Sequence, residues 1–422
     1  MEIRLAYGKE GLTLDVPDHI EIDRFGLTAV DQPVTFDHFS KLVRQAGIDR
    51  LFDAEAPLVI VNDGYRNTPT ARMQEWLDAI DNTFLDRASF LIATGTHAAP
   101  TDEHLEAIFG RLLQRVRPRV TYHDCRDLES MRPVGTDSFG QDAYLNARYL
   151  DADPVLVINS VEPHYFAGFT GGRKSLFPGL TDLATVERNH NLANSLEAQP
   201  LRLDGNPVAE HLDSLLSVVP IDKILSIQVV MDAGGRLDSI HCGGLRESFA
   251  AAVEAARELY AHSFDKPYDL VIAEMRQPLD NNLYQAQKAL ENTQRAVKDG
   301  GTALVVSECF EGMGSPHFFA LAEQWDREKN EAKDGKQRFG SHKLSRVNLM
   351  TRRINVRLYS EVDHDAARQV FYEPAENVQR LFDETLAISG RVAVVHDAGH
   401  TVLQPAGAES EQQEVTEIQT NH

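Results

Sequence analysis

Short apolar runs alternate along this chain with polar, turn-rich loops and with stretches of helical spacing. Leu58 to Val61, Phe90 to Ala93 and Val155 to Ile158 are all apolar. At that length they predict buried strands. Each is followed by a polar loop: Asn62 to Pro69, Thr94 to His97, and the glycine-rich segment Glu162 to Pro178. Helices are predicted from about Ala71 and after Pro100, the latter with Thr101 as cap and His104 in its first turns. Glu2 to Tyr7 and Leu12 to Val16 predict paired strands around the turn Gly8 to Gly11. Leu225 to Val230 predicts a further strand and Arg246 to Ala261 a helix. His262 to Pro267 reads as a linker. The pattern then restarts: strand Leu270 to Ala273, helix Asn282 to Lys298, strand Ala303 to Ser307, a helix near His317 and a strand Arg391 to Val395. Asp326 to Lys343 is charged and predicted to be exposed. The expected fold class is α/β, with two α/β domains. The expected division is an N-terminal domain at 1–266, a C-terminal domain at 267–405, and a Glu/Gln/Thr-rich tail at 406–422, disordered or docked back on the N-terminal domain.

Charge narrows the partners. The net charge of -22 over 422 residues argues against nonspecific nucleic-acid binding and against anionic membranes. It leaves room for a small anionic ligand at a local basic cluster. Cys125, Cys242 and Cys309 are far apart and odd in number, so neither a disulfide framework nor a paired-cysteine metal knuckle is expected. With no apolar leader at Met1 to Gly11 and no apolar run of membrane length, a cytoplasmic location is the expectation.

The glycine-rich segment carries the densest chemistry: His164, Gly168, Thr170, Gly171, Gly172, Arg173, Lys174 and Ser175. Its glycines suit a main chain that approaches a ligand closely, and the segment looks ill-suited to a core. A nucleotide-triphosphate loop is a poor match, because Arg173 stands where such a loop needs glycine before its lysine. Anion binding by backbone amides and the Arg173–Lys174 pair fits better. His97 follows a buried strand, and His190 sits in Glu187 to Asn191 on a predicted helix. Imidazole suits acid–base work and nickel, zinc or copper binding. Any single histidine is more often a surface or hydrogen-bonded side chain. Arg66, in one loop with Asp63, can form a turn ion pair or fork onto a carboxylate. Tyr284, Gln285 and Lys288 fall near the start of a predicted helix, with Gln285 and Lys288 on one face.

Taken together and in order, the pieces Asp63-x-x-Arg66, Gly95-Thr96-His97, Glu162-Pro163-His164, Gly171-Gly172-x-Lys174-Ser175, His190 and Tyr284-Gln285-x-x-Lys288 resemble the nickel-pincer nucleotide-dependent lactate racemase family of 2-hydroxyacid racemases and epimerases. The resemblance implies two α/β domains with the active site in the cleft between them. It implies a cofactor, a pyridinium mononucleotide whose two sulfur-bearing arms hold nickel. His190 would then be the protein ligand to nickel, Lys174 the cofactor lysine, and Thr170, Gly171, Gly172, Arg173 and Ser175 its surroundings. His97 and His164 would be the two acid–bases, both titrating near neutrality. Asp63, Arg66, Tyr284, Gln285 and Lys288 would bind the substrate. The implied activity is racemisation at C2 of a 2-hydroxy acid by reversible hydride transfer to the cofactor, which cofactor-biosynthesis enzymes would supply. The alternatives are a nickel or nucleotide-cofactor delivery protein and a metal-dependent hydrolase. The delivery protein would use Lys174 and His190 but not the other two histidines.

Overall fold

The computed structural model describes all residues except 65–67, 233, 278, 315, 336, 337, 339 and 408–422. The chain forms two compact units. One comprises Thr28–Leu192 and Gly205–Leu259; the other comprises Met1–Leu27, Ala193–Asp204 and the chain from Tyr260 onward.

The first unit is built on a six-stranded sheet in the order Leu237–Gly243, Ile224–Met231, Val155–Ser160, Leu58–Asn62, Ser89–Ala93, Val120–Tyr122. Every pairing is parallel except that of the Leu237–Gly243 edge. The predicted apolar runs form the interior strands because both of their faces are covered. Val59, Val61, Phe90, Ile92, Leu156 and Ile158 enter one core cluster. Leu58, Ile60, Leu91, Val155 and Val157 enter the other.

The second unit repeats the plan. Its all-parallel sheet runs Glu373–Pro374, Asn355–Tyr359, Val297–Val306, Tyr268–Glu274, Val392–Val395, Asp23–Phe25. Val271, Ala273, Ala303 and Val305 pack on one side. Leu270, Ile272, Leu304 and Val306 pack on the other, beneath Ile3, Leu5, Leu14 and Val16 of the predicted N-terminal hairpin.

Four local expectations change. The His262 to Pro267 linker is largely strand: Ala261–Phe264 pairs in parallel with Val402–Pro405, a long-range partner that no local pattern announces. The predicted Asn282 to Lys298 helix ends at Thr293, and Val297 already opens a strand. The charged Asp326 to Lys343 stretch runs into the helix Ser341–Thr351, where Ser341, His342 and Lys343 are buried. The glycine-rich segment is itself part of the interior: Phe166, Ala167, Phe169, Leu176 and Phe177 are each at most 2% exposed. From residue 408 the tail lies outside the described residues. No helix among the described residues is long and apolar enough to cross a membrane.

Candidate active site

In the first unit the chain leaves Leu58–Asn62 for Ser89–Ala93 on one side, and later returns as Val155–Ser160 on the other. Such a reversal leaves a crevice at the carboxyl ends of the strands. A cavity of about 110 Å³ opens there, and His97, His164, Lys174, His190, Asp63 and Ser175 are among its walls.

His97 is held at the loop after Ser89–Ala93. Its Nδ1 lies 2.5 Å from Asp63 Oδ2, and the Asp63 side chain is only 8% exposed. A buried carboxylate on one ring nitrogen fixes the orientation of the ring. His164 pairs across a short antiparallel bridge with Gly168. Its Nδ1 lies 3.2 Å from the Ala167 amide. Tyr165 stacks on it and Phe166 meets it edge-on.

His190 lies in the last turn of Leu183–Asn191, a helix whose cap Asp182 accepts from the Thr185 amide at 3.0 Å. Its Nδ1 lies 3.0 Å from the carbonyl of Val186, so Nδ1 donates and the lone pair sits on Nε2. Burial, and after it the charge of Lys174, pushes its pKa down to about 3. A ring kept neutral, with its tautomer set, is what a metal ligand requires. Behind it the helix is tied down. Arg188 Nε donates to Asp137 at 2.7 Å, and Asn189 Nδ2 donates to the carbonyl of Val208 at 3.1 Å.

The Arg173–Lys174 pair separates. Both sit in the 3₁₀ turn Gly172–Ser175, where successive side chains diverge by roughly 120°. Lys174 and Ser175 line the cavity. Arg173 does not: it is 2% exposed, stands over the Phe249 ring and lies 3.6 Å from Asp213. The paired glycines serve packing. At Gly171 (φ 79°) a Cβ would lie 2.6 Å from Val161, and at Gly172 (φ 50°) 2.4 Å from the Phe249 ring. Gly171 and Thr170 line the cavity. The Thr170 hydroxyl donates to the carbonyl of Ser160 at 3.0 Å, fastening the segment to its strand. Arg66 lies outside the described residues.

In the second unit, Leu283–Thr293 begins at Asn282, whose side chain accepts from the Gln285 amide. Its first amides donate to the carbonyls of Gly312 and Met313, which satisfies groups a helix start otherwise exposes. The helix is buried except at Tyr284, Gln285 and Lys288, which are half-buried. The three predicted substrate residues are therefore its accessible side.

Asn159, which lines the cavity, and Phe166, which packs against its histidines, were given no role by the sequence. Asn159, at the end of Val155–Ser160, donates to Ser175 Oγ, while its Oδ1 is buried without a hydrogen-bond partner among the described residues. Phe166 meets His164 and His190 edge-on and lies under the Lys174 ammonium. Asn159 ends an apolar strand and Phe166 looks like an ordinary core residue, so neither carried a local signal.

The doubly wound sheet, with imidazoles and a lysine gathered where its strand order reverses, defines an α/β enzyme. The family model of the lactate racemase N-terminal domain matches residues 7–200, and that of the C-terminal domain matches residues 265–358, together more than half of the chain. The chain is 29% identical over 345 residues to a lactate racemase of Thermoanaerobacterium thermosaccharolyticum, covering 79% of each. It is 28% identical over 235 residues to a lactate racemase of Lactiplantibacillus plantarum, covering 55% of each. Its fold is similar to the structure of the lactate racemase apoprotein from T. thermosaccharolyticum, with a TM-score of 0.82 and 23% identity, covering 96% of this chain and 100% of that one. A Thermotoga maritima protein also matches, with a TM-score of 0.69 and 16% identity, covering 88% of this chain and 99% of that one. The chain belongs to the lactate racemase family and is a racemase, hence an isomerase.

Proposed function

We propose that this racemase interconverts the C2 configurations of a lactate-type 2-hydroxy acid, using a nickel-pincer nucleotide held by Lys174 and His190. The observation that carries the reading is that His97, His164, Lys174 and His190 line one cavity. The residues present fit the group. His190 offers a neutral imidazole, the orphaned Oδ1 of Asn159 lacks a donor, and Ser175, which accepts from Asn159, has its own proton to give. Among the described residues no three His, Cys, Asp or Glu side chains stand together as a metal site. A metal at His190 would therefore take its other donors from a cofactor, which favours this reading over a metal-dependent hydrolase.

Bound there, the cofactor would supply the hydride acceptor that no side chain provides. The protein manages protons and position. In one direction His97 takes the hydroxyl proton, and the imidazolium so formed is stabilised by the Asp63 carboxylate at 2.5 Å. His164, entering this direction as the imidazolium, gives a proton to the oxygen when the opposite configuration forms. In the reverse direction the roles exchange, and so two imidazoles are needed. Arg66, Gln285 and Lys288 are the cations and donors proposed for the carboxylate.

The test is chiral chromatography of a 2-hydroxy acid panel with protein coexpressed with cofactor-making enzymes. The expected result is approach to an equal mixture from either enantiomer. Protein carrying nickel and cofactor that leaves every enantiomer unchanged would overturn the reading.

A further inference from the structure

The helix Ser341–Thr351 is buried along most of its length, yet it carries Ser341, His342, Lys343, Ser345, Arg346 and Asn348, all buried. Buried polar groups need partners, and Leu283–Thr293 supplies several of them. Arg346 forks onto the Glu291 carboxylate at 2.8 and 2.7 Å. Gln287 Nε2 donates to the carbonyl of Lys343 at 3.1 Å. Lys343, 3% exposed, donates from Nζ to the carbonyl of Tyr284 at 2.8 Å and stands 3.9 Å from the centre of the Tyr284 ring. One ammonium group thus grips both the backbone and the ring of a residue on the accessible side of that helix. The ring is packed edge-on from another side by Phe318.

We propose that Lys343 is a positioning residue of the racemase: its ammonium clamps Tyr284 so that Tyr284, Gln285 and Lys288 meet the substrate carboxylate in a fixed arrangement. The identity of the ligand rests on the functional reading above.

The charges around Lys343 agree with this role. Burial is the largest influence and lowers its pKa, Lys288 and Arg346 lower it further, and Glu291 opposes them, leaving it at about 7. The Tyr284 phenol beneath it is pushed up to about 12 by burial and stays neutral. An anion arriving at Lys288 adds the negative charge that favours the Lys343 ammonium. Ligand and clamp therefore strengthen each other, and the clamp weakens as pH rises above 7. A lysine whose role was only to fill space would show neither effect.

Lys343→Met keeps the apolar stem and removes the charge, and replacing a buried ion by an apolar side chain need not destabilise a fold. In cofactor-loaded protein it is expected to raise KM about tenfold with kcat within about threefold. It is also expected to abolish the rise of KM that the parent shows above neutral pH. Lys343→Arg, always charged, should lose the same pH dependence. A folded Lys343→Met with the parent's KM, or with only kcat lowered, overturns the proposal. Should Lys343→Met not fold, Lys343→Arg decides alone: loss of the pH dependence supports the clamp, and an unchanged profile overturns it. Should the parent racemise no acid in the panel, the functional reading fails by itself. Calorimetry of the same acids then judges Lys343: about tenfold weaker binding in Lys343→Met supports the clamp. Equal binding, or no binding by the parent, overturns it.

Discussion

The two units share a plan and use it differently. Each has a doubly covered sheet whose strand order reverses next to its first long apolar strand. At the reversal of the first unit, Asn62, Asp63 and Asn159 frame an open cavity with His97, His164 and His190. At the corresponding reversal of the second unit, between Tyr268–Glu274 and Val392–Val395, polar groups neutralise one another. Glu274, with its side chain 0% exposed, receives Arg276 Nε at 2.6 Å and lies 2.6 Å from His396 Nδ1. Its chemistry lies instead on the next helix, as amide, phenol and ammonium groups at Gln285, Tyr284 and Lys288. The same topology recurs in both places, but the strand-end carboxylate of the first unit, Asp63, faces the cavity beside His97, whereas Glu274 is buried between Arg276 and His396. In the proposed function, proton transfer falls to the first unit, and Gln285 and Lys288 of the second join Arg66 of the first in recognising the carboxylate.

That division can be broken by experiment. The largest effect should come from His97→Ala and His164→Ala, each lowering kcat by about 10²–10⁴-fold with the fold intact by circular dichroism. Racemisation at the parent rate in either variant would end the two-base scheme. Asp63→Asn should follow, with a loss in kcat of roughly 10- to 100-fold, because the His97 imidazolium loses its charged partner. A loss confined to KM would instead place Asp63 in substrate binding. Next is pH. The Lys343 ammonium, whose pKa is held near 7, is lost as pH rises, so KM should climb severalfold between about pH 6 and pH 9, as steady-state kinetics across that range would show. A KM that falls with rising pH would contradict the sign. The smallest effect, on stability more than on turnover, is Gly172→Ala. A methyl at φ 50°, 2.4 Å from the Phe249 ring, should cost roughly 1–3 kcal/mol, read as a lowered thermal midpoint. An unchanged midpoint would mean that the turn adapts.

Much of the fold was legible because its signals are local. Leu58 to Val61 and Val155 to Ile158 announced interior strands by being apolar on both faces, and Thr101 announced its helix by capping it, with His104 completing the cap. Where partners are remote, the pattern misled. His262 to Pro267 looked like a linker because the strand Val402–Pro405, which pairs with Ala261–Phe264, lies far along the chain. Lys343 looked like surface because a charged residue carries no local mark of the helix that will cover it. The glycine-rich segment looked unfit for a core, yet its aromatics, Phe166, Phe169 and Phe177, fill the interior and leave Lys174 and Ser175 to the cavity.

By itself the sequence determined the alternation of strands and helices, and the order in which the histidines, Lys174 and the Tyr284–Lys288 group follow one another. Both are properties of neighbouring residues and of spacing. Only the tertiary structure decided that adjacent Arg173 and Lys174 part company, that Asp63 serves His97, and that a lysine from a charged stretch grips Tyr284 from beneath. Those outcomes depend on which distant surfaces meet, and burial against a specific neighbour is what turns a side chain's intrinsic chemistry into a role.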